Sequence, residues 1–446
     1  MTCVATDMEK RLEDPRSIIA REPMHYRQVV AVGIATALNG LDGFDILSIS
    51  FAAPGISRAW HIDRAALGLV LSMELVGMGV GALILGVVAD RIGRRPTILG
   101  CLVVMALGMA LAATANSVGA LSVWRLLTGV GIGGMLAATA AIAAECSNAR
   151  RRNLSVAIMA GGYPVGAIIG GVIATTLLAR TGEWRMIFEV GSVMTCAFIP
   201  LVLAYVPETI SFLAHRQPPG ALVRINRTMV RQGRAPLTEL PPRQKTISSF
   251  SVARAFAPGM AGTTSLLIVA YFLHMVSFYF FIKWIPKDVV DMGFAPAAAG
   301  SVLVWGNVGS ALGCLAISLA TQRISVRNLT VGAMIAGSLA IAYFGQEKAS
   351  LVHLSIVAVV GGFFANAATS GLYAVIAQSF PADMRAGGTG LVIGIGRGGA
   401  ALGPIGAGLL YTAGWGLPAV AIVLGAGTLL AGLLLATLRY KESAIA

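Results

Sequence analysis

Long apolar runs, each closed by a short polar or charged turn, repeat through nearly the whole chain, and no other property narrows its fold so far. A stretch of ~20 apolar residues crosses a bilayer as a helix. By length and periodicity the runs fall at about 29–54, 66–87, 97–115, 119–145, 154–179 and 186–206, then at about 262–285, 297–319, 329–345, 351–378, 388–411 and 416–438. Twelve spans use roughly 240–280 residues, leaving short loops, two tails and one longer connection within the 446. Charged residues make up 12% of the chain, about half the share of a soluble protein, so a nuclease or cytosolic enzyme is excluded. None of the lysines follows a glycine, so no GxxxxGK[ST] phosphate loop and no ATP motor is expected.

The net charge of +13 would suggest nucleic acid in a soluble chain; here its placement gives topology, and the expected partner is a lipid bilayer, with no nucleic acid. Roughly 24 of the 33 Lys and Arg fall in the tails and alternate loops on one side. These are Lys10 to Arg27, Arg91 to Arg95, Arg150 to Arg152, Arg216 to Arg254, Arg323 and Arg327, Arg385, and Arg439 with Lys441. Both termini are therefore expected in the cytoplasm. The first 28 residues mix acids with bases, which reads as a solvated tail and not a cleaved signal peptide. Cys3, Cys101, Cys146, Cys196 and Cys314 have no paired spacing, so neither a disulfide nor a metal is expected.

The expected organisation is a tail over 1–28, a six-helix bundle over 29–206, a polar linker over 207–261, a second six-helix bundle over 262–438 and a tail over 439–446. This is an all-α membrane protein. Gly166-x-x-x-Gly170-Gly171 in the fifth span and Gly403-Pro404-x-Gly406 in the eleventh occupy equivalent places, consistent with a parallel duplication. Gly77 with Gly81, Gly129 with Gly133, and Gly166 with Gly170 have the four-residue spacing that lets helices approach closely. Static packing and sliding surfaces both fit that spacing.

Ionisable groups inside the hydrocarbon cost ~2.5–3.5 kcal/mol at mid-helix, which makes each a candidate for function. With ~1.5 Å rise per residue, Asp42 and Asp45 lie roughly 20 Å into the first span, and Arg125 of the fourth sits near the level of Asp45. Asp42 or Asp45 is expected to take a proton from an outward-facing cavity, with Arg125 tuning its release; a permanent Asp–Arg brace is the alternative. Arg397, ~13 Å into the eleventh span, has a planar fork that grips a carboxylate bidentately. Its alternative is an internal partner such as Asp42, or helix carbonyls. Phe44, Tyr163, Phe278, Tyr279, Phe280 and Trp305 can wall a pocket for a flat ring, although the four aromatics from Phe278 to Phe281 cannot all face it. Asn39, His274 and Asn307 can bond ring substituents, and His274 is either a second proton site or a satisfied core residue. Glu74 in the second span reads as a second proton site, a partner for Arg397 or a hydroxyl binder.

Gly86-Val-Val-Ala-Asp90-Arg91-Ile-Gly93-Arg94-Arg95 resembles the signature loop of the major facilitator superfamily, and Arg125-x-x-x-Gly129-x-Gly131-x-Gly133 and Pro207-Glu208-Thr209 are similar to other marks of that superfamily. Within it, Asp42-Gly43-Phe44-Asp45, Trp284-x-Pro286, Arg385 and Gly394-Ile-Gly-Arg397-Gly resemble the aromatic acid:proton symporters. The resemblance implies a secondary transporter, not an enzyme. It would import a benzoate-like or hydroxybenzoate-like carboxylate with protons across a bacterial inner membrane by alternating access. The proton gradient would supply the energy, with no cofactor, and a monomer is expected. Gly86, Asp90, Arg91, Gly93, Arg94, Glu145 and Arg385 would serve gating, with Asp90, Arg94 and Glu145 as a charge relay. Two departures stand out: Gln322 and Ser325 replace the counterparts of Asp90 and Gly93 in the second signature loop, and Glu74 occupies a place where a small residue is expected. A drug:proton antiporter of the same fold and a non-transporting membrane sensor are the alternatives; an interior arginine argues for an anionic cargo.

Overall fold

The computed structural model describes residues 14–242, 252–346, 350–381 and 384–438. Cys3, Arg439, Lys441 and the tail 439–446 lie outside the described residues. Among the described residues, twelve helical spans are long and apolar enough to cross a membrane. After a short α1 (Pro15–Arg21), the first set comprises α2 (Tyr26–Trp60), α3 (Arg64–Ile92), α4 (Arg94–Ala113), α5 (Val118–Glu145), α6 (Arg152–Thr181) and α7 (Arg185–Tyr205). The connection carries α8 (Ile210–Arg216), α9 (Ala221–Arg231) and α10 (Val252–Ala255). The second set comprises α11 (Ala261–Asp291), α12 (Pro296–Ala320), α13 (Val326–Phe344), α14 (Leu351–Ser379), the broken span α15 (Arg385–Gly396) with α16 (Gly398–Thr412), and α17 (Leu417–Thr437).

Span ends differ from the sequence expectation mainly at prolines. The first span continues through Pro54 to Trp60, and the seventh continues through Pro286 to Asp291 instead of closing there. A proline in a helix interior removes one rung of the ladder, and inside a bundle neighbouring helices can cover the freed carbonyl. The eleventh span is interrupted at Arg397, where the amide of Ala400 donates to the Arg397 carbonyl (2.9 Å), a three-residue turn tighter than α.

Glycine sets the packing within each set. A Cβ at Gly77, Gly81, Gly129 or Gly133 would run into the facing backbone of Leu126, Val130, Glu74 or Met78, so α3 and α5 meet main chain to main chain. Gly309, Gly313 and Gly362 do the same between α12 and α14. The first and fifth spans meet at Gly43 and Gly166, and the seventh and eleventh at Gly399 and Gly403. The same helix pairs therefore close by the same device in both sets.

The N-terminal segment is not simply a solvated tail. Ile19 of α1 packs in a separate apolar cluster with Ile210, Phe212 and Leu213 of α8 and with Ile225 and Met229 of α9. The Ala149 amide donates to the Ala20 carbonyl (2.9 Å), and Arg234 pairs with Glu22 (2.7 Å). These segments cap the end of the first set at which the first span begins, called here the tail face.

Contacts joining the two sets run from mid-depth to the opposite, far face. There Arg64 pairs with Asp291 (2.9 Å) and stacks over Tyr411 (4.5 Å), while Tyr411 donates to Asp288 (3.0 Å). Gly68 and Gly408 bring α3 against α16, and deeper in the bundle the Ser72 hydroxyl donates to the Ala401 carbonyl (2.7 Å).

Valine at Gly77 or Gly309 should cost about 1–3 kcal/mol by overpacking and lower the melting temperature of the detergent-purified protein. Alanine at Gly86, whose added Cβ meets no atom within 4 Å, should leave it unchanged; fluorescence-monitored unfolding of the three variants checks both.

Candidate functional site

Two polar clusters adjoin at mid-depth between the sets. The first forms because Gly129 holds α5 against the backbone of Glu74, one turn from Arg125. Glu74 and Arg125 are each 0% exposed. They form an ion pair. The other Glu74 oxygen lies 3.4 Å from the Lys283 ammonium of α11, which also donates to the Ile46 carbonyl of α2. Arg125 is further held by the Asp45 carbonyl (2.8 Å), the Met109 sulfur (3.0 Å) and the Phe188 ring (5.4 Å).

This arrangement corrects the expected pairing of Arg125 with a first-span acid: what Arg125 takes from that span is the main-chain carbonyl of Asp45, and its carboxylate is Glu74. Of the three readings of Glu74, it excludes a pairing with Arg397, since both carboxyl oxygens are taken up by Arg125 and Lys283. The carboxyl oxygens of Asp42 and Asp45 are buried with no hydrogen-bond partner. An ionised carboxylate is costly in such a place.

The second cluster surrounds Arg397 at the break between α15 and α16. Tyr271 of α11 packs against the neighbouring Gly396, and the guanidinium lies within electrostatic range of Tyr271 and Tyr279 of α11 and Tyr373 of α14. The Tyr271 and Tyr373 hydroxyls are 3.2 Å apart. Tyr163 reaches in from α6, within electrostatic range of Tyr279, Arg397, Asp42 and Glu74, and its buried hydroxyl is unpartnered. Among the described residues Arg397 has no ion pair, with Asp42 or any other acid. The fork is therefore free to receive an anion.

Several expected pocket residues are placed elsewhere. Asn39 spends its amide on the Met159 (2.8 Å) and Ala160 carbonyls, and Phe44 packs on Gly170, so both brace the first set. Asn307 bonds the Leu303 carbonyl of its own helix (2.9 Å). Trp305 is 51% exposed and takes no part in the described contacts around Arg397. Phe278 turns towards His274 and meets Tyr279 edge to face. His274 is a satisfied core residue: its ring nitrogens reach Thr428 (3.1 Å) and Thr369 (2.9 Å). Because Thr369 gives its proton to Ala365, it accepts from Nε2, and Thr428 donates to Nδ1. A neutral ring meets both demands, so nothing here suits a proton relay.

At the tail face, Arg94 joins Asp90 (2.8 Å) and Glu145 (3.0 Å). Glu145 also accepts from Thr209 (2.5 Å), Glu208 takes the Arg94 amide (2.9 Å), and Arg216 reaches the Asp90 carbonyl (2.8 Å). Burial raises the Glu208 carboxyl above its ordinary value, opposed by the amide donors of Thr209 and Arg94. Gly93 has φ 113° and sits against Glu208, a place a side chain would contest. Arg91 and Arg385 are exposed, and Gly86 faces open space. The network lies wholly within the first set and the connection.

Sequence reasoning missed Lys283, Tyr271, Tyr373 and the far-face group around Asp291. The signal for Lys283 was a lysine in the run Phe278–Ile285. Closing the span at Pro286 put it near water, whereas the helix continues to Asp291 and leaves it dry.

Relatives and solved structures agree with this architecture. The chain is 29% identical to the 3-(3-hydroxy-phenyl)propionate transporter of Escherichia coli (strain K12), over 94% of this chain and 96% of that one. It is 30% identical to the 4-hydroxybenzoate transporter PcaK of Pseudomonas putida, over 90% of each. Its fold matches the inward open conformation of the xylose transporter XylE from E. coli with a TM-score of 0.71, covering 93% of this chain and 97% of that chain at 15% identity. The sequence matches the Major Facilitator Superfamily over residues 34–345 and 267–445. That match crosses both six-helix sets and the connection between them, and the chain belongs to the Major Facilitator Superfamily as a membrane transporter, not an enzyme.

Proposed function

We propose that the protein is a proton-coupled importer of aromatic carboxylates across the bacterial inner membrane, with both termini in the cytoplasm. The observation that carries this reading is Arg397: a guanidinium without an acidic partner, ringed by Tyr271, Tyr279 and Tyr373 and faced by the unpartnered hydroxyl of Tyr163. A carboxylate on the fork and an aromatic ring among the phenols satisfy both. The names of the relatives, transporters of hydroxylated aromatic acids, point the same way.

Charge balance supplies the coupling. Glu74, Arg125 and Lys283 together carry one uncompensated positive charge. An ionised Asp45 or an incoming carboxylate can match it, and not both at equal advantage. Substrate entry therefore favours protonated Asp42 and Asp45, and substrate departure favours proton release. The contacts that join the sets from mid-depth to the far face fit a carrier caught open towards the cytoplasm. Opening outward draws α3 from α11, breaking Glu74 from Lys283 while Arg125 keeps Glu74 paired. The gradient is the energy source, no cofactor takes part, and the unit of transport is a monomer.

Uptake of 4-hydroxybenzoate into proteoliposomes should rise with an imposed inward proton gradient, and Arg397→Ala should weaken binding about tenfold or more, the loss of a charge-assisted pair. Equal binding of the acid and its amide by the wild type would remove Arg397 from the role. Asp45→Asn should keep exchange of substrate across the membrane while losing gradient-driven accumulation; undiminished accumulation would exclude Asp45 as the coupling acid.

The triad makes its own prediction in thermal unfolding. Glu74→Gln leaves two buried cations facing each other and should destabilise by about 3–5 kcal/mol. Lys283→Met leaves the Glu74–Arg125 pair intact and should cost clearly less; the reverse order would refute the assignment.

A further inference from the structure

A cavity of about 530 Å³ opens at the tail face, well away from the central site. One wall is made of span ends: Arg27 and Val30 of α2, Arg95 of α4, and Leu203 with Tyr205 of α7. The other is α9, whose buried residues Ile225 and Met229 fix it on the apolar cluster beneath. That docking turns Arg224, Arg227 and Arg231, spaced three and four residues apart on one helical face, towards the cavity.

The charge is one-sided. Five arginines line the space against a single carboxylate, Glu208, which is already engaged by the amides of Arg94 and Thr209. Among the described residues Arg224, Arg227 and Arg231 form no ion pair. A soluble anion would account for the guanidiniums but not for the apolar side of the cavity. There Leu203 is 51% exposed and Tyr205 58% exposed, next to exposed Val29 and Val30. These residues end membrane spans, so the cavity straddles the boundary between hydrocarbon and headgroups.

We propose that this cavity is a binding site for an anionic phospholipid. Its phosphodiester lies among Arg224, Arg227, Arg231 and Arg95, and an acyl chain runs along Leu203 and Val30. Basic pockets at the ends of spans are the places where anionic headgroups bind. The lipid ties α9 to the ends of α2, α4 and α7, all within the first set, and so holds the connection in place on one rigid unit. The site is independent of the cargo.

Native mass spectrometry of the full-length, delipidated protein tests this with phosphatidylglycerol against phosphatidylcholine. Phosphatidylglycerol should bind at least about tenfold more tightly. The triple variant R224Q/R227Q/R231Q should lose that preference, while R224K/R227K/R231K, which keeps the charge, should retain most of it and serves as the folding control. Equal binding of the two lipids by the wild type would overturn the proposal, as would an unchanged preference in the glutamine variant. Displacement of phosphatidylglycerol by millimolar inorganic phosphate would overturn it in favour of a free-anion site.

Discussion

Glu74 stands between two cations, one from each six-helix set, with all three groups removed from water. A buried charge persists only when paired, and the pairing here is asymmetric: Arg125 belongs to the same set as Glu74, Lys283 to the other. The same carboxylate is thus a permanent member of one unit and a separable partner of the second. Around it the first span contributes main-chain carbonyls, from Ile46 and Asp45, which leaves the side chains of Asp42 and Asp45 without donors.

Contacts within a set and contacts between sets differ in how far they rest on side chains. Inside each set, glycines bring backbones together so closely that any relative shift collides with a carbonyl. Between sets, main chains approach closely at Gly68 and Gly408, and the other joins involve side chains: Arg64 with Asp291, Ser72 with the Ala401 carbonyl, Lys283 with Glu74. An exposed pair such as Arg64 with Asp291 breaks and re-forms at small cost, whereas parting a buried pair such as Lys283 with Glu74 costs more. The seam between the two sets is thus part glycine contact and part polar contact.

The spans, their division into two sets of six and the glycine-rich helix pairs were legible in the sequence, because lipid demands continuous apolar length and close packing demands small residues. Arg397 stood out as a candidate for the same reason: an arginine in an apolar run has few inert explanations. Partnerships were not legible. Asp45 and Arg125 share a depth, yet depth says nothing about azimuth, and the glycine contact at Gly129 gave Arg125 to Glu74. Asn39 and Asn307 looked available because sequence does not show which carbonyls a turn leaves within reach. Lys283 was hidden by a proline that reads as a stop and, inside a bundle, is not one.

The far-face seal has an environmental consequence. Its charged contact, Arg64 with Asp291, has side chains 37% and 28% exposed, and pairs so open to water are worth about 0–1 kcal/mol and weaken as ions crowd around them. The glycine contact of Gly68 with α16 beside it involves no charge and is indifferent to electrolyte. The ionic part of the far-face closure therefore loosens as ionic strength rises and tightens in dilute solution, while its glycine part keeps the same grip throughout.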